Sequence, residues 1–396
     1  MKLSSSRSIG IVVNEIFGYG AFGGFGMVAR SLMRLLREIG YSVFVVTVKY
    51  TGGRSVQKNI VDGCESLLLQ YWSPKNFYRV IVSAPDLVQF ISTKKPTALI
   101  FIEPVHYFHI ALQVKLLASI ASPKTKIIID FQDTRSIEDV SRILNNQLEQ
   151  RVQGDPCNAL KQYSRGLKIT KYIMENADGY FSQATFLAEK AKKIYALKET
   201  PVVIPNPVDI PVFLQKPNPT PPTALFLGRL DPIKRPWIFF KLAKYHPQVN
   251  FVVAGSTHFP ALMEPLINNY RDTPNLSFRG LVTGQEKSRL LSRSHVLVNT
   301  SVYEALPVSF LEALAYGVPI LSCQNPECLT AKYGYYTGQI KGDGNSSELI
   351  FSEGIRSIIN GGWFETGQKG REHIINEYSF SKAKEKLNGY LKSLNI

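Results

Sequence analysis

The sequence predicts an α/β protein of two Rossmann-like domains, each a parallel sheet covered by helices, facing each other across a cleft. Three observations carry this expectation. Short apolar runs alternate with helical patterns in two separate blocks. Between the blocks, Pro201 to Pro222 holds eight prolines, too many for a helix to persist. The chain of 396 residues, 44% hydrophobic and 19% charged, is too long for one ordinary core and too apolar for a disordered chain.

In the first block, the apolar run Ile9 to Val13 reads as a buried strand, followed by a Gly-studded turn at Gly18 to Gly26. Val28, Leu32, Leu35, Leu36 and Ile39 then recur at helical spacing, and Gly40 suits a left-handed C-terminal cap. Val43 to Val48 follows as a second strand, completing the unit from which parallel sheets are built. Ala98–Ile102, Lys126–Ile129 and Gly179–Phe181 continue the sheet, and Val202–Ile204 opens the proline-rich joint. The second block expects strands at Ala224–Leu227, Asn250–Ala254, Leu276–Arg279, Val296–Asn299 and Pro319–Ser322. Helices are expected near 237–245, 261–270, 285–292 and 309–316. The expected domains are therefore 1–202 and 203–376. An amphipathic terminal helix at 377–396 crosses back onto the first domain. Ligands of such sheets gather at the carboxyl ends of the strands.

Composition narrows the function classes. Net charge is +15, from 46 Lys+Arg against 31 Asp+Glu, which favours an anionic partner. The cations are scattered, and no helix-turn-helix, zinc-finger or aromatic RNA-binding signature is present, so nucleic acid is not expected. Four cysteines make no disulfide framework and no metal-ligand pair of pairs, so they read as incidental thiols. Met1-Lys2-Leu3-Ser4 lacks a targeting segment, and no run reaches the roughly 18 apolar residues of a spanning helix. The expectation is a cytoplasmic protein. Lys190, Lys192, Lys193 and Lys198 form either a solvated helix face or a peripheral contact with the inner, acidic membrane surface.

The strongest constellation lies between Ser301 and Pro319. Glu304 and Glu312 flank the start of a helix, with Pro307 in its first turn and Gly317 at its end. Glu304 would sit on the preceding loop, and the free amides of Ala305, Leu306 and Val308 would form an anion site around Pro307. The plainer alternative makes Glu304 a carboxylate at the helix's positive end and Glu312 a solvated face. A second constellation is Gly228-Arg229…Lys234: a strand ends on a glycine, then an arginine and a lysine follow on its loop. Together they suit a diphosphate, because Arg grips two oxygens and Lys adds a point charge. Alone, they read equally as a solvated basic loop. The Gly18–Gly26 turn lacks G-x-G-x-x-G spacing and no acid follows the second strand, so a nicotinamide cofactor is not expected.

These residues resemble the retaining GT-B glycosyltransferases of the group 1, family 4 type, which include glycogen and sucrose synthases. Glu304…Glu312 is similar to that group's E-x7-E motif, and Gly228-Arg229…Lys234 to its donor-diphosphate loop. Gly23-Gly24, Glu175-Asn176-Ala177-Asp178, Ile204-Pro205-Asn206, Val253-Ala254-Gly255 and Phe278-Arg279-Gly280 resemble further landmarks in the same order. The resemblance implies a transferase moving sugar from a nucleotide-diphosphate sugar to a hydroxyl acceptor, whether glycan, lipid-linked saccharide or small molecule. It implies retention and no metal or other cofactor. Arg229 and Lys234 would neutralise the diphosphate, Glu304 would hold sugar hydroxyls, Glu312 the ribose, and the backbone near Leu281 and Val282 the base. Gly23 and Gly24 would approach the reacting centre.

Ile102 stands where many members of that group carry a histidine; His106, Glu103 or the backbone are the alternatives for its role. Asp130 and Asp133, at a strand end, would either orient an acceptor hydroxyl or cap a turn. Two other readings remain open at this level: a sugar-nucleotide epimerase on the same fold, and a non-catalytic partner in glycan assembly.

Overall fold

A computed structural model describes residues 7–16, 23–49, 56–70, 78–212 and 221–396. Residues 18–22 of the Gly-studded turn and 213–220 of the proline-rich joint lie outside the described residues. In chain order the strands are β1 (Ser8–Val13), β2 (Ser42–Lys49), β3 (Val56–Val61), β4 (Cys64–Gln70), β5 (Ala98–Ile102), β6 (Lys126–Phe131), β7 (Gly179–Ser182) and β8 (Val202–Val203). They continue as β9 (Thr223–Leu227), β10 (Asn250–Ala254), β11 (Leu276–Phe278), β12 (Val296–Asn299), β13 (Ile320–Ser322) and β14 (Gly334–Tyr336). The helices of the first half are α1 (Gly24–Ile39), α2 (Tyr78–Lys94), α3 (Phe108–Ala121), α4 (Ile137–Leu144), α5 (Gln147–Gln153), α6 (Pro156–Glu175) and α7 (Thr185–Tyr195). Those of the second are α8 (Pro236–Tyr245), α9 (Pro260–Asn268), α10 (Gly284–Arg293), α11 (Val308–Ala315), α12 (Leu329–Lys332), α13 (Glu348–Asn360), α14 (Trp363–Tyr378) and α15 (Phe380–Ser393).

Two compact units result. The first contains the sheet β3-β4-β2-β1-β5-β6-β7-β8, parallel except for the β3–β4 hairpin. Its central strands are buried on both faces, as parallel sheets require; Ile9, Ile11 and Val13 point to one core, and Val12 and Phe101 to the other. Helix α1 ends at Gly40, whose φ of 111° a side chain would resist. Residues 380–396 pack against this first sheet: Ala383, Leu387 and Leu391 join its core, and Tyr390 meets Phe181 edge-on.

The second unit holds the all-parallel sheet β11-β10-β9-β12-β13-β14. The chain runs outward from β9 to β11, then returns to β12 on the other side. This places a topological switch point between β9 and β12, and the crevice beyond their carboxyl ends is where ligands of such sheets bind. Residues 135–160 belong to this unit and not to the first, which corrects the 1–202 domain boundary. The reason is local packing: Ile143 joins a cluster with Val302 and Tyr303, and Asn146 Nδ2 donates to the Pro232 carbonyl at 3.1 Å.

Three strand ends come together at glycines. Gly228 donates its N–H to the Ala254 carbonyl, and Gly255 donates to the Gly280 carbonyl at 2.7 Å. Gly255 has φ +154, and a Cβ there would overlap the Gly228 carbonyl oxygen. Gly255→Ala is therefore expected to cost about 3 kcal/mol or more of unfolding free energy, from backbone strain plus overlap. Urea titration of the variant against the parent protein measures it; a loss near zero would contradict the close approach.

Candidate functional site

The loops after β9 and β12 carry the first group of polar side chains. After β9 the chain passes Gly228 and Arg229 into a 3-10 turn, Pro232–Lys234. After β12 it runs through Thr300 to Pro307, which is the N-cap of α11 and not inside its first turn. These two loops bring Lys234 Nζ to 2.5 Å from Glu304 Oε1. The same oxygen accepts from Asn299 Nδ2 at 2.9 Å and from Ser301 Oγ at 2.5 Å. Asn299 is held in turn by Ser322 Oγ, which donates to its Oδ1 at 3.1 Å. The Glu304 side chain is 8% exposed and that of Lys234 20%, so a buried carboxylate stands at the inner end of a more accessible ammonium.

Arg229 takes a different partner. Its Nη1 lies 3.0 Å from Asp231 Oδ2 and 2.9 Å from His258 Nδ1. Asp231 Oδ1 accepts from Thr257 Oγ1 and from the His258 N–H. Burial pushes the Asp231 carboxyl up, but hydrogen bonding from His258 and the Arg229 charge outweigh it and hold the carboxyl below its usual range. Glu312 lies within α11, as its spacing required, and its Oε1 meets Lys287 Nζ of α10 at 2.5 Å. No side chain caps α11 and no acid occupies its first turn, so its leading amides remain available to an anion. Leu281 is 51% exposed beside the buried Val282.

Sequence reasoning assigned no role to Asp231, His258, Asn299 or Arg235. Arg235, next to Lys234, is fully buried. Its guanidinium donates to the carbonyls of Thr300, Ser301, Ile340 and Gly342. In Pro232-Ile233-Lys234-Arg235-Pro236 two cations stand side by side, and the prolines that fix the turn were the available signal that they differ. All four cysteines are free, and Arg235 Nη2 lies 3.2 Å from Cys323 Sγ.

The first unit carries the remaining expected residues. Gly23 is the extended N-cap of α1, and the carboxylate of Glu15 lies where a Cβ on Gly23 would stand, while Gly24 faces open space. Glu15, on the loop after β1, was not anticipated. Glu103, one alternative for the histidine's role, and Asp130, expected to orient an acceptor hydroxyl or cap a turn, are interior, at 0% and 1% exposure. Glu103 follows β5 with φ +42, which turns its side chain inward, and Oε2 accepts from the N–H groups of Gln132 and Asp133 at 2.8 and 2.7 Å. Asp130 Oδ1 accepts from Gln132 Nε2 at 2.7 Å, and Gln132, Gln183 and Asn206 are mutually hydrogen-bonded. Asp133 and His106 remain partly exposed, 3.8 Å apart, and the His106 ring sits 5.3 Å from that of Phe25. Ile102 is wholly buried in β5.

Among the described residues no cluster of three His, Cys, Asp or Glu side chains is arranged to hold a metal ion. Among them, too, no helix is long and apolar enough to cross a membrane.

Burial, with the Glu103 charge beside it, raises the Asp130 carboxyl well above the ordinary range, against a smaller opposing effect of Gln132. A raised folded-state pKa means that this group's stabilisation is complete below the unfolded pKa of about 4 and fades as pH rises toward the folded value. Asp130→Asn should therefore lose that slope and equal or exceed the parent protein in stability at pH 7, as read by urea titrations between pH 4 and 8. A parallel, undiminished slope in the variant would contradict it.

Residues 212–375, within the second unit, match the family described as glycosyl transferases group 1. An Escherichia coli UDP-Gal:alpha-D-GlcNAc-diphosphoundecaprenol alpha-1,3-galactosyltransferase is 35% identical over 103 residues, 24% of this chain and 26% of that protein. An uncharacterized glycosyltransferase of Methanocaldococcus jannaschii is 24% identical over 242 residues, 52% of this chain and 58% of that protein. The chain thus matches both relatives over less than two thirds of their length. The sucrose-phosphate synthase structure from Thermosynechococcus elongatus superposes with a TM-score of 0.74 at 18% identity, covering 98% of this chain and 99% of that one. Anabaena HepE, solved with UDP and glucose, gives 0.68 at 14% identity, covering 97% and 99%. At these identities the likeness establishes the fold, which is GT-B: two parallel-sheet α/β domains. The similarity to glycosyl transferases group 1 falls within the second unit.

Proposed function

We propose that the chain transfers a sugar from a nucleotide-diphosphate donor to a hydroxyl acceptor, with retention at the anomeric carbon. The observation that carries this is the Lys234–Glu304 pair at the switch point, with Asn299 and Ser301 fixing the carboxylate from the other side. Glu304 Oε1 is saturated by three donors, which sets the carboxylate rigidly, and rigid polar groups are what orient sugar hydroxyls. Lys234 keeps N–H bonds beyond the one spent on Glu304, and these meet the departing diphosphate. Arg229, more exposed, adds a planar fork once it exchanges Asp231 for phosphate oxygens. The first amides of α11 supply further hydrogen bonds to the same anion.

In this reading the acceptor oxygen attacks the anomeric carbon on the face the diphosphate leaves. The C–O bond to phosphate breaks, and the acceptor's proton passes to the leaving oxygen. Glu312, anchored by Lys287, accepts from the ribose, and exposed Leu281 lies beside the base. The positive charge developing on the sugar and the negative charge on the diphosphate are both met by groups already in place, so the cations do the work a metal performs in other transferases.

Support for a uridine donor comes from the Escherichia coli relative, a UDP-Gal galactosyltransferase, and from HepE, which was solved with UDP and glucose. The former's lipid-linked acceptor makes a diphospholipid-linked saccharide the first acceptor to try, and a peripheral membrane contact through the lysines near α7 accords with that.

A thermal-shift panel of UDP-, GDP- and ADP-sugars should show one base raising the melting temperature, by mass action. With that donor, Lys234→Ala and Glu304→Ala are each expected to lower kcat by about 100-fold or more. Glu312→Ala should instead weaken donor binding with a smaller effect on kcat. Full transfer by Lys234→Ala would remove that residue from the mechanism.

A further inference from the structure

A second concavity lies in the same unit, away from the switch point. It has a volume of about 500 Å³, between the sheet and α10. Val252 of β10 and Leu290 of α10 are its apolar lining. Phe251, Val253 and Leu276 face the opposite core, which α8, α9 and α13 cover. Period-two alternation therefore puts Asn250, Val252 and Ser277 on the α10 side of the sheet. Thr223 and Asn250 open β9 and β10, whereas Gly228 and Gly255 follow those strands' far ends. At about 3.3 Å per residue the two places are roughly 15 Å apart.

Three arginines line this concavity: Arg279 from the end of β11, and Arg289 and Arg293 from α10. Arg289 and Arg293 are four apart on one helix, a spacing at which like charges repel. Among the described residues none of the three guanidiniums has an ion-pair partner, in contrast to Lys287 on the same helix, which is locked to Glu312. Glu286, the one carboxylate at the lining, pairs with none of them. Three unpaired cations around a concavity, with hydroxyls from Thr223 and Ser277 and the Asn250 amide, form an unmatched positive potential with hydrogen-bonding capacity beside it.

We propose that this concavity binds a phosphate monoester. The dianion offers three terminal oxygens to planar guanidinium forks, which pair with such oxygens two at a time. A volume of about 500 Å³ lies in the range of small-molecule sites, and the polar side chains suit the hydroxyls of the esterified alcohol. Glu286 disfavours a second anionic group at its side. The same chemistry occurs in a soluble sugar or glycerol phosphate and in the head group of phosphatidic acid.

The test uses the full chain, calorimetric titration with glycerol 3-phosphate, and flotation with vesicles of phosphatidylcholine with and without phosphatidic acid. Saturable binding of glycerol 3-phosphate assigns the site to a soluble ester, and binding only to phosphatidic acid vesicles assigns it to a lipid head group. In either case Arg289→Gln/Arg293→Gln should weaken binding about tenfold or more while its melting temperature and UDP affinity stay at parent values. Undiminished binding by that double variant, or binding of neither probe by the parent protein, overturns the proposal. Absence of UDP binding by the parent protein would count against the transferase reading alone, because the two titrations are independent.

Discussion

Arg235 holds the candidate site together without facing it. A guanidinium stripped of water is costly, and it is tolerated here because main-chain carbonyls take its donors: Thr300 and Ser301 after β12, Ile340 and Gly342 after β14. Its backbone sits at φ +45, a conformation a non-glycine residue adopts only when its surroundings insist. The Thr300 hydroxyl completes the clasp by donating to the carbonyls of Lys234 and Arg235. Those bonds join the loop after β9 to the loop after β12. With the two loops fixed, Lys234 has one short path, toward Glu304. Adjacent cations thus have separate places: Arg235 sets the frame and Lys234 meets Glu304.

Much of this frame was readable from residues alone. Ala98–Ile102, Asn250–Ala254 and Val296–Asn299 form strands over the expected spans because each is a short apolar run with no competing helical period. Gly40 caps α1 because the helix needs a left-handed residue there. Other elements carried no such signal. Strand β3, Val-Gln-Lys-Asn-Ile-Val, is an edge strand with half its residues in water, so its sequence reads as a loop. Strand β14 is three residues beginning at Gly334, whose missing side chain lets its backbone pass close to the Ile320 carbonyl. Residues 135–160 follow β6 in sequence, so chain order assigned them to the first sheet. What places them is tertiary: Tyr303 lies under the guanidiniums of Arg135 and Arg142, at 5.1 and 5.5 Å. Cation–π contacts between residues this far apart leave no trace in local pattern.

The first unit shows why a polar residue at a strand end is an ambiguous sign. Asp130 and Asp133 stand three apart at one strand end and looked equivalent. Asp130 is the penultimate residue of β6 and turns inward to Gln132, while Asp133 reaches past the strand toward His106. Glu103 caps the amides of Gln132 and Asp133 from beneath. This fully buried carboxylate is a structural brace for the loop that carries Asp133, through charge-assisted bonds to otherwise orphaned N–H groups. Asp133 and His106 thus stay partly exposed on a loop that the buried Glu103 holds in place.

Lys234 is 2.5 Å from Glu304, Arg229 is 3.0 Å from Asp231, and Lys287 is 2.5 Å from Glu312, so the expected site is locally close to neutral despite its cations. In the proposed transfer a diphosphate would gain little there from net charge. Its attraction would come from directed groups: the spare N–H bonds of Lys234, the Arg229 fork after it releases Asp231, and the uncapped amides of α11. Long-range approach is a separate matter, governed by the chain's +15 excess, which biases encounter toward anions without selecting among them. Pairing each cation with a fixed acid therefore separates the two tasks. On the proposed function, the protein's overall field would bring the donor near, and the geometry of short, pre-oriented groups would decide whether it stays. An ion pair that is neutral as a unit also costs less to hold in a partly buried loop than a bare cation would, which lets such a cluster be rigid.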